Sequence, residues 1–356
     1  MGIFSFISEF AGFSNNAFAI DLGTVNTLIA VHGAGVVLNE STAVAVSSED
    51  SRSVLAVGNE AVEMSGRMPT GMVLRYPFRD GVIADYRLAE YMIHSFFNKA
   101  LKAMPSRGLS VPPRVLLCVP SCVTDVERRA VCTAVKSAGA RDVLVADEIM
   151  AACIGSDLPY DEPTGSMVID IGGGTSDAAV IALSGIVVSK SIKVGGNHID
   201  RAIINSIRRR HNVVIGNRTA EQLKMHLCMK EKKNFTMDIS GLSLETGLPC
   251  KISVTNTELS DSISSSVQEI VMMARDILSS TPPELASDIM QNGIMLCGGG
   301  ALLSGLAEAV QASTGINVRI SSKPLECVAL GALEMLNNIR HGKASSLPSM
   351  VEQEAL

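Results

Sequence analysis

The sequence predicts an α/β protein of two similar domains that face each other across a cleft. Three observations carry this. The chain has 356 residues, about two domains at roughly 150 residues each. Its strand and helix patterns alternate, the βαβ signature of a largely parallel sheet. One unit also occurs twice, as AIDLGTVNTLIAVHGAGVV (Ala19–Val37) and VIDIGGGTSDAAVIALSGIVV (Val168–Val188). Each copy reads as a buried strand ending in Asp, a Gly/Thr turn, a second apolar strand and a Gly-centred hairpin into a third. The two aspartates, Asp21 and Asp170, stand about one domain length apart, so the copies mark two domains of one design.

The other elements follow in order. Val115–Pro120 (VLLCVP) reads as a fully buried strand. Thr124 and Glu127 form a capping box for a helix that turns Val126, Ala130, Val131, Ala134, Val135 and Ala138 inward. Gly139 ends that helix, and Val143–Val145 returns as the next strand. The polar, Pro/Gly-punctuated stretch Asp157–Gly165 links the halves. Asp200 to Arg210 is a helix with Ile203, Ile204 and Ile207 on its apolar side. Its basic run, Arg208 to His211, suits the negative end of the helix dipole. Thr219 and Gln222 make another capping box, opening a helix to about Lys233. A polar, β-prone insert (Phe235–Thr255) precedes a long helix from about Glu258 to Ser279. Ile294–Leu303 is strand, glycine turn and helix; Asn317–Ser321 is a last strand and Pro324–Asn338 a last helix. The tail from His341 is expected to be flexible.

Composition narrows the function. Forty-seven per cent of residues are apolar and 19 % charged, enough for two cores and against global disorder. Thirty Lys and Arg against 36 Asp and Glu give a net charge of −6, which argues against a nucleic-acid partner held by a basic surface. The eight cysteines form no C-x-x-C pair and no zinc set, as expected of reduced thiols in a cytoplasmic protein. No apolar run approaches the roughly 18 residues of a membrane span. The N-terminal segment 1–16 carries Ile3, Phe4, Phe6, Ile7, Phe10 and Phe13. Two readings stand for it: a tail that is packed on its own domain or disordered, and a short interfacial membrane anchor.

Three glycine turns follow buried strands: Leu22-Gly23-Thr24, Gly172-Gly173-Gly174-Thr175 and Gly298-Gly299-Gly300. Without Cβ atoms, such turns let backbone N–H groups approach an anion. Neither the dinucleotide fingerprint nor the Walker pattern is present, so phosphate binding would use hairpins. Asp21 and Asp170 end core strands in apolar settings, where an uncompensated charge is costly. They either cap their own turns or face a shared cleft and hold a hydrated Mg²⁺ on nucleotide phosphates. Glu221 and Lys224, at i, i+3 on one helical face, would by themselves read as a surface ion pair.

The stretches Asp21–Thr27, Arg79–Tyr86, Pro113–Pro120, Val126–Val131, Gly165–Asp177, Pro282–Ile289 and Gly298–Leu303 together resemble the MreB family of bacterial actins. That family lies within the actin, heat-shock-chaperone and sugar-kinase ATPase superfamily. The resemblance implies an actin-like ATPase fold, two ribonuclease-H-like domains around an interdomain nucleotide cleft. Domain I would span 17–160 with a small subdomain at about 39–75. Domain II would span 161–340 with a small subdomain at about 197–257, leaving 341–356 as tail. ATP and Mg²⁺ are the implied cofactors, with Asp21 and Asp170 on the metal. The implied nucleotide contacts are Asp21, Gly23, Thr24, Val25 and Asn26 in the first loop and Gly172, Gly173, Gly174 and Thr175 in the second. Gly195, Gly196, Glu221 and Lys224 join them beside the nucleoside, with Gly298, Gly299, Gly300 and Ala301 over adenosine. Glu148 and Thr175 would orient the water that attacks the γ-phosphate.

Four places depart from the family's pattern: Asp147-Glu148-Ile149 where E-E-P is usual, Ser176-Asp177 for T-E, Asn197 for Asp, and Met225–Asn234. They bear on hydrolysis rate more than on nucleotide binding. The family's apolar membrane loop falls at Met104–Pro112, where Leu109 and Val111 are the candidates, which shifts weight to the N-terminal segment. The implied function is a slow ATPase that polymerises with itself under the cytoplasmic membrane. There it would work with membrane proteins of the cell-wall elongation complex to organise peptidoglycan sidewall synthesis and rod shape. The alternatives are a sugar- or acetate-type small-molecule kinase of the same superfamily, and a chaperone-type ATPase, which would need a further substrate-binding domain.

Overall fold

The computed structural model describes residues 17–49, 53–79, 81–103, 112–120, 123–228, 235–340 and 351–352. Domain I opens with an antiparallel meander, β1 (Ala17–Leu22), β2 (Asn26–Val31) and β3 (Gly35–Ser41). A small lobe follows, with β4 (Val44–Ser47), β5 (Val54–Val57), α1 (Asn59–Glu63) and β6 (Met72–Arg75) in the order β5-β4-β6. The hairpin β7 (Phe78–Arg79) and β8 (Val82–Ile83) leads to α2 (Tyr86–Ala103). Then come β9 (Arg114–Val119), α3 (Asp125–Ser137), β10 (Asp142–Asp147) and α4 (Glu148–Ile154). Strands β9 and β10 run parallel to β1, which gives the order β10-β9-β1-β2-β3.

Domain II repeats the plan. Strands β11 (Ser166–Ile171), β12 (Ser176–Ala182) and β13 (Gly185–Ile192) form the second meander. Helix α5 (Gly196–His211), β14 (Val213–Val214), α6 (Asn217–Leu227), β15 (Thr236–Ser243) and β16 (Pro249–Thr255) build the second small lobe. After α7 (Asn256–Ser280) and α8 (Pro283–Asn292) come β17 (Ile294–Cys297), a 3₁₀ turn (Gly299–Leu302), α9 (Leu306–Thr314), β18 (Val318–Ile320) and α10 (Cys327–Arg340). The order β13-β12-β11-β17-β18 is that of the first sheet, strand for strand. The register repeats too. Asp21 on β1 lies opposite Cys118 on β9, and Asp170 on β11 lies opposite Cys297 on β17. In the tail expected to be flexible, β19 (Val351–Glu352) pairs antiparallel with β10.

The apolar run of β11, SMVIDI, is buried along its whole length, as a strand covered on both faces requires. One face of each sheet packs on its own domain's helices. The other faces share a layer made by α4 and α10, and the two helices change places. Although α4 ends domain I, it packs against Val168, Ala179 and Ile181 of the second sheet. Although α10 ends domain II, it lies against Ala19, Ala30 and Leu116 of the first. They cross with Gly155 set on the carbonyl of Cys327 and Gly331 on that of Ala151, where any Cβ would collide with backbone. Small residues at a crossing allow this approach.

Several local expectations need correction. Val126 is not inward but 77 % exposed, in the first turn of the helix; Val131, Ala134 and Val135 are buried as expected. The Thr124–Glu127 capping box is present. Thr219 caps nothing, since α6 starts two residues earlier at Asn217 behind Gly216, which offers no side-chain cap. The described part of that helix ends at Leu227. The last helix starts at Cys327, three residues beyond Pro324. Among the described residues no helix is long and apolar enough to cross a membrane. The segment 1–16, Leu109 and Val111 lie outside the described residues.

Candidate functional site

The two Gly/Thr turns meet where the domains face each other. Residues Gly23 to Val25 form the β1–β2 turn and Asn26 starts β2, while Gly172 to Thr175 form the β11–β12 turn. Gly173 lies so close to Val25 that a Cβ there would collide with the valine side chain. The second turn is bolted to α5: Gly196 N–H donates to Gly172 O (3.0 Å) and Asn197 N–H to Gly173 O (2.8 Å). Gly195 is needed there because a Cβ would meet both of those carbonyls at 2.8 Å. Within the described chain no acceptor is recorded for the N–H groups of Gly173 and Gly174, as befits a turn that can receive an anion.

The first turn is held by a buried hydroxyl that sequence reasoning missed. Thr42 is fully buried. Its Oγ1 donates to Gly23 O (2.8 Å) and pairs with Thr27 Oγ1 (3.0 Å), and its N–H donates to Val25 O (2.7 Å). A threonine just after an apolar strand gives no sign of this in the sequence.

Beneath the turns four carboxylates converge. Asp21 and Asp170 are buried at their strand tips, and desolvation lifts the first to about 7 and the second to about 8, the latter helped by Asp21 and Asp177. Glu148 opens α4. Burial, then Asp21, Asp170 and Asp177, push its carboxyl well above the usual range. Asp177 lies directly across the β11–β12 ladder from Asp170, so the strand register could have revealed it. Its carboxyl is raised by burial and moderated by Ser191 and Thr175. Oδ1 of Asp170 and Oδ1 of Asp177 are buried without a partner.

Four crowded acids, two of them with an orphaned oxygen, resist ionising together and form a site that a bound cation would stabilise. Among the described residues no three His, Cys, Asp or Glu close into a direct metal cage. That suits Mg²⁺, which keeps several waters and takes one or two carboxylates. The reading in which the aspartates merely cap their turns does not account for Asp170, whose Oδ1 has no donor.

The remaining predicted residues divide. Gly298 packs on Asp170 and Ile171, where a Cβ would collide, and Gly300 on Ile171, so this third turn lines the Asp170 side. Ala301 is fully buried in the domain II core and presents no side chain to the cleft. Thr175 lies close enough to Asp177 to hold its carboxyl pKa down against burial. Glu221 and Lys224 share α6 but do not pair: Lys224 Nζ donates to Asp200 Oδ2 (2.9 Å) and reaches Gly196 O (3.4 Å). Glu221 instead lines a cavity of about 380 Å³ between the small lobes and lies near enough to Tyr76 to raise its hydroxyl's pKa, after burial.

The profile of the family described as MreB/Mbl protein matches residues 15–344. The chain is 42 % identical over 340 residues to the cell shape-determining protein MreB of Escherichia coli K12, covering 93 % of this chain and 97 % of that one. It is 41 % identical over 322 residues to the cell shape-determining protein Mbl of Bacillus subtilis 168, covering 90 % and 95 %. Among solved structures, MreB5 of Spiroplasma citri bound to AMPPNP superposes with a TM-score of 0.86 at 35 % identity, over 93 % of this chain and 98 % of that one. A MamK double helical filament gives 0.75 at 21 % identity, over 90 % and 99 %, which shows a shared fold.

Proposed function

The chain belongs to the MreB/Mbl family of actin-like proteins, and from that premise we propose that it is an ATP-dependent filament protein of the cell-shape machinery. The observation that carries the nucleotide reading is the meeting of Asp21, Asp170, Glu148 and Asp177 below two glycine turns from opposite domains. Asp21 and Asp170 would hold Mg²⁺ through its waters, and the ion would neutralise phosphate charge. The turn amides cradle the phosphates. Glu148 orients water toward the γ-phosphate, and hydrolysis is mainly positioning. Thr175, beside Asp177, would help Glu148 orient that water. Gly195, Gly196, Glu221, Lys224 and Gly298 to Gly300 flank the nucleoside.

A nucleotide gripped from both domains biases their relative angle, and hydrolysis relaxes that bias. Subunits would stack head to tail in an open contact that propagates. Two structures of relatives support this reading, MreB5 with AMPPNP and MamK as a filament. The polymer would lie on the cytoplasmic membrane through the segment 1–16, and there meet the membrane proteins that build the sidewall. Family membership sets the small-molecule kinase alternative aside.

Pelleting with and without ATP and liposomes tests the proposal, using the full chain and one lacking residues 1–13. ATP-dependent sedimentation is expected. Protein that stays in the supernatant under every condition refutes the filament reading, and unchanged liposome binding after truncation refutes the anchor. Asp170→Ala should abolish Mg-ATP binding; an affinity equal to wild type contradicts the metal assignment.

A further inference from the structure

The cavity of about 380 Å³ between the small lobes overlaps the proposed nucleotide site at one edge and extends beyond it. It shares with that site only Thr24 to Asn26 and Glu221. The acids Asp21, Glu148 and Asp170 and the second turn do not line it. Its walls come from both domains: Ser41, Ser65 and Arg79 from one, Asn197, Arg201 and Arg218 from the other.

The charge of this chamber is one-sided. Among the described residues no carboxylate partner is recorded for Arg79, Arg201 or Arg218; Arg201 donates Nε–H only to the carbonyl of Asn197 (3.3 Å). Of the two acids in the wall, Asp200 is neutralised by Lys224 at 2.9 Å and its other oxygen is shut away from solvent. Glu221 is left as the one acid in this lining with no recorded cation partner, against three arginines. Amides and hydroxyls of Asn26, Asn197, Asn217 and Ser65 supply further donors around the same space.

Guanidiniums fit phosphate geometry and hold it with forked, charge-assisted bonds. A volume of this size falls in the range of small-molecule sites. We propose that the chamber binds a phosphate-bearing anion in addition to the nucleotide, with Arg79 on one lobe and Arg201 and Arg218 on the other, so that the bound anion ties the lobes together. The claim rests on the nucleotide reading only in placing this anion beside, not in, the nucleotide position.

Inorganic pyrophosphate and orthophosphate are the probes. Each is titrated by calorimetry into the full chain, first free and then saturated with Mg²⁺ and AMPPNP. Pyrophosphate should bind the nucleotide-loaded protein, with affinity that falls as salt rises. Joint Arg201→Ala and Arg218→Ala substitution should weaken it at least ten-fold while AMPPNP affinity shifts less than two-fold. Joint Arg201→Lys and Arg218→Lys should recover part of the loss, and both variants should keep the wild-type melting temperature. Three results overturn the proposal: no pyrophosphate binding to the loaded protein, one-for-one competition with AMPPNP, or undiminished binding in the alanine variant. Failure of AMPPNP itself to bind would refute the nucleotide reading instead, and the titrations of the free chain would then decide the chamber alone.

Discussion

Replacing Asp170 by Asn should remove a substantial part of a pH-dependent instability built into the nucleotide-free protein. Folding holds the Asp170 carboxyl protonated to about pH 8, against 3.8 in its ordinary state. Between those values the native chain carries a proton that the unfolded chain has lost, so stability falls as pH rises. The slope is about 1.4 kcal/mol per pH unit for one such group. From pH 5.5 to 7.5 Asp170 alone therefore withdraws roughly 3 kcal/mol, and Asp21, lifted to about 7, adds in the same direction. In a chain of this size that corresponds to a drop in melting temperature on the order of 5 °C. Mg²⁺ with AMPPNP replaces the proton by a cation, so the loaded protein should lose the slope and bind more tightly as pH rises through this window. Differential scanning fluorimetry across the range, free and loaded, reads both. A flat profile for the free wild type, or an Asp170→Asn variant with the wild-type slope, would refute the reasoning.

Three further outcomes are expected. Glu148→Gln should keep nucleotide affinity within a few-fold and slow single-turnover phosphate release on the order of a hundred-fold; an unchanged rate would remove Glu148 from the water-positioning role. Thr42→Val should cost about 1–3 kcal/mol in urea unfolding by orphaning Gly23 O and Thr27 Oγ1 and should weaken binding of a fluorescent nucleotide, with Thr42→Ser restoring both. If the valine variant binds as wild type, the hydroxyl does not set the first turn. Gly331→Ala should destabilise by about 1–3 kcal/mol because backbone must move. Adding Gly155→Ala should cost less than the sum of the two single changes, since both strain one crossing.

The duplicated strand–Asp–turn unit was readable because it is local: a buried run, an acid and glycines within a short span. Alternating patterns fixed the helices that carry a full apolar stripe, such as α3 and α5. Helix starts were less readable. Gly216 provides no capping side chain, so the sequence signal moved to Thr219, inside the helix. Contacts that form only when the chain closes on itself left no trace. Asp177 gains its meaning from the register with Asp170. Thr42 matters through a carbonyl nineteen positions away, and Lys224 through Asp200 rather than Glu221. The arginines of the chamber come from separate segments, and each alone reads as an ordinary surface cation.

The exchange of α4 and α10 between the sheets has a consequence for assembly of the fold itself. Neither half owns the helix that roofs its inner face: residues 17–147 would leave Ala19, Ala30 and Leu116 bare, and residues 161–326 would leave Val168, Ala179 and Ile181 bare. Severed fragments should therefore be insoluble singly and rescue each other when produced together, and a nascent chain cannot complete its first half until the final helix has been synthesised.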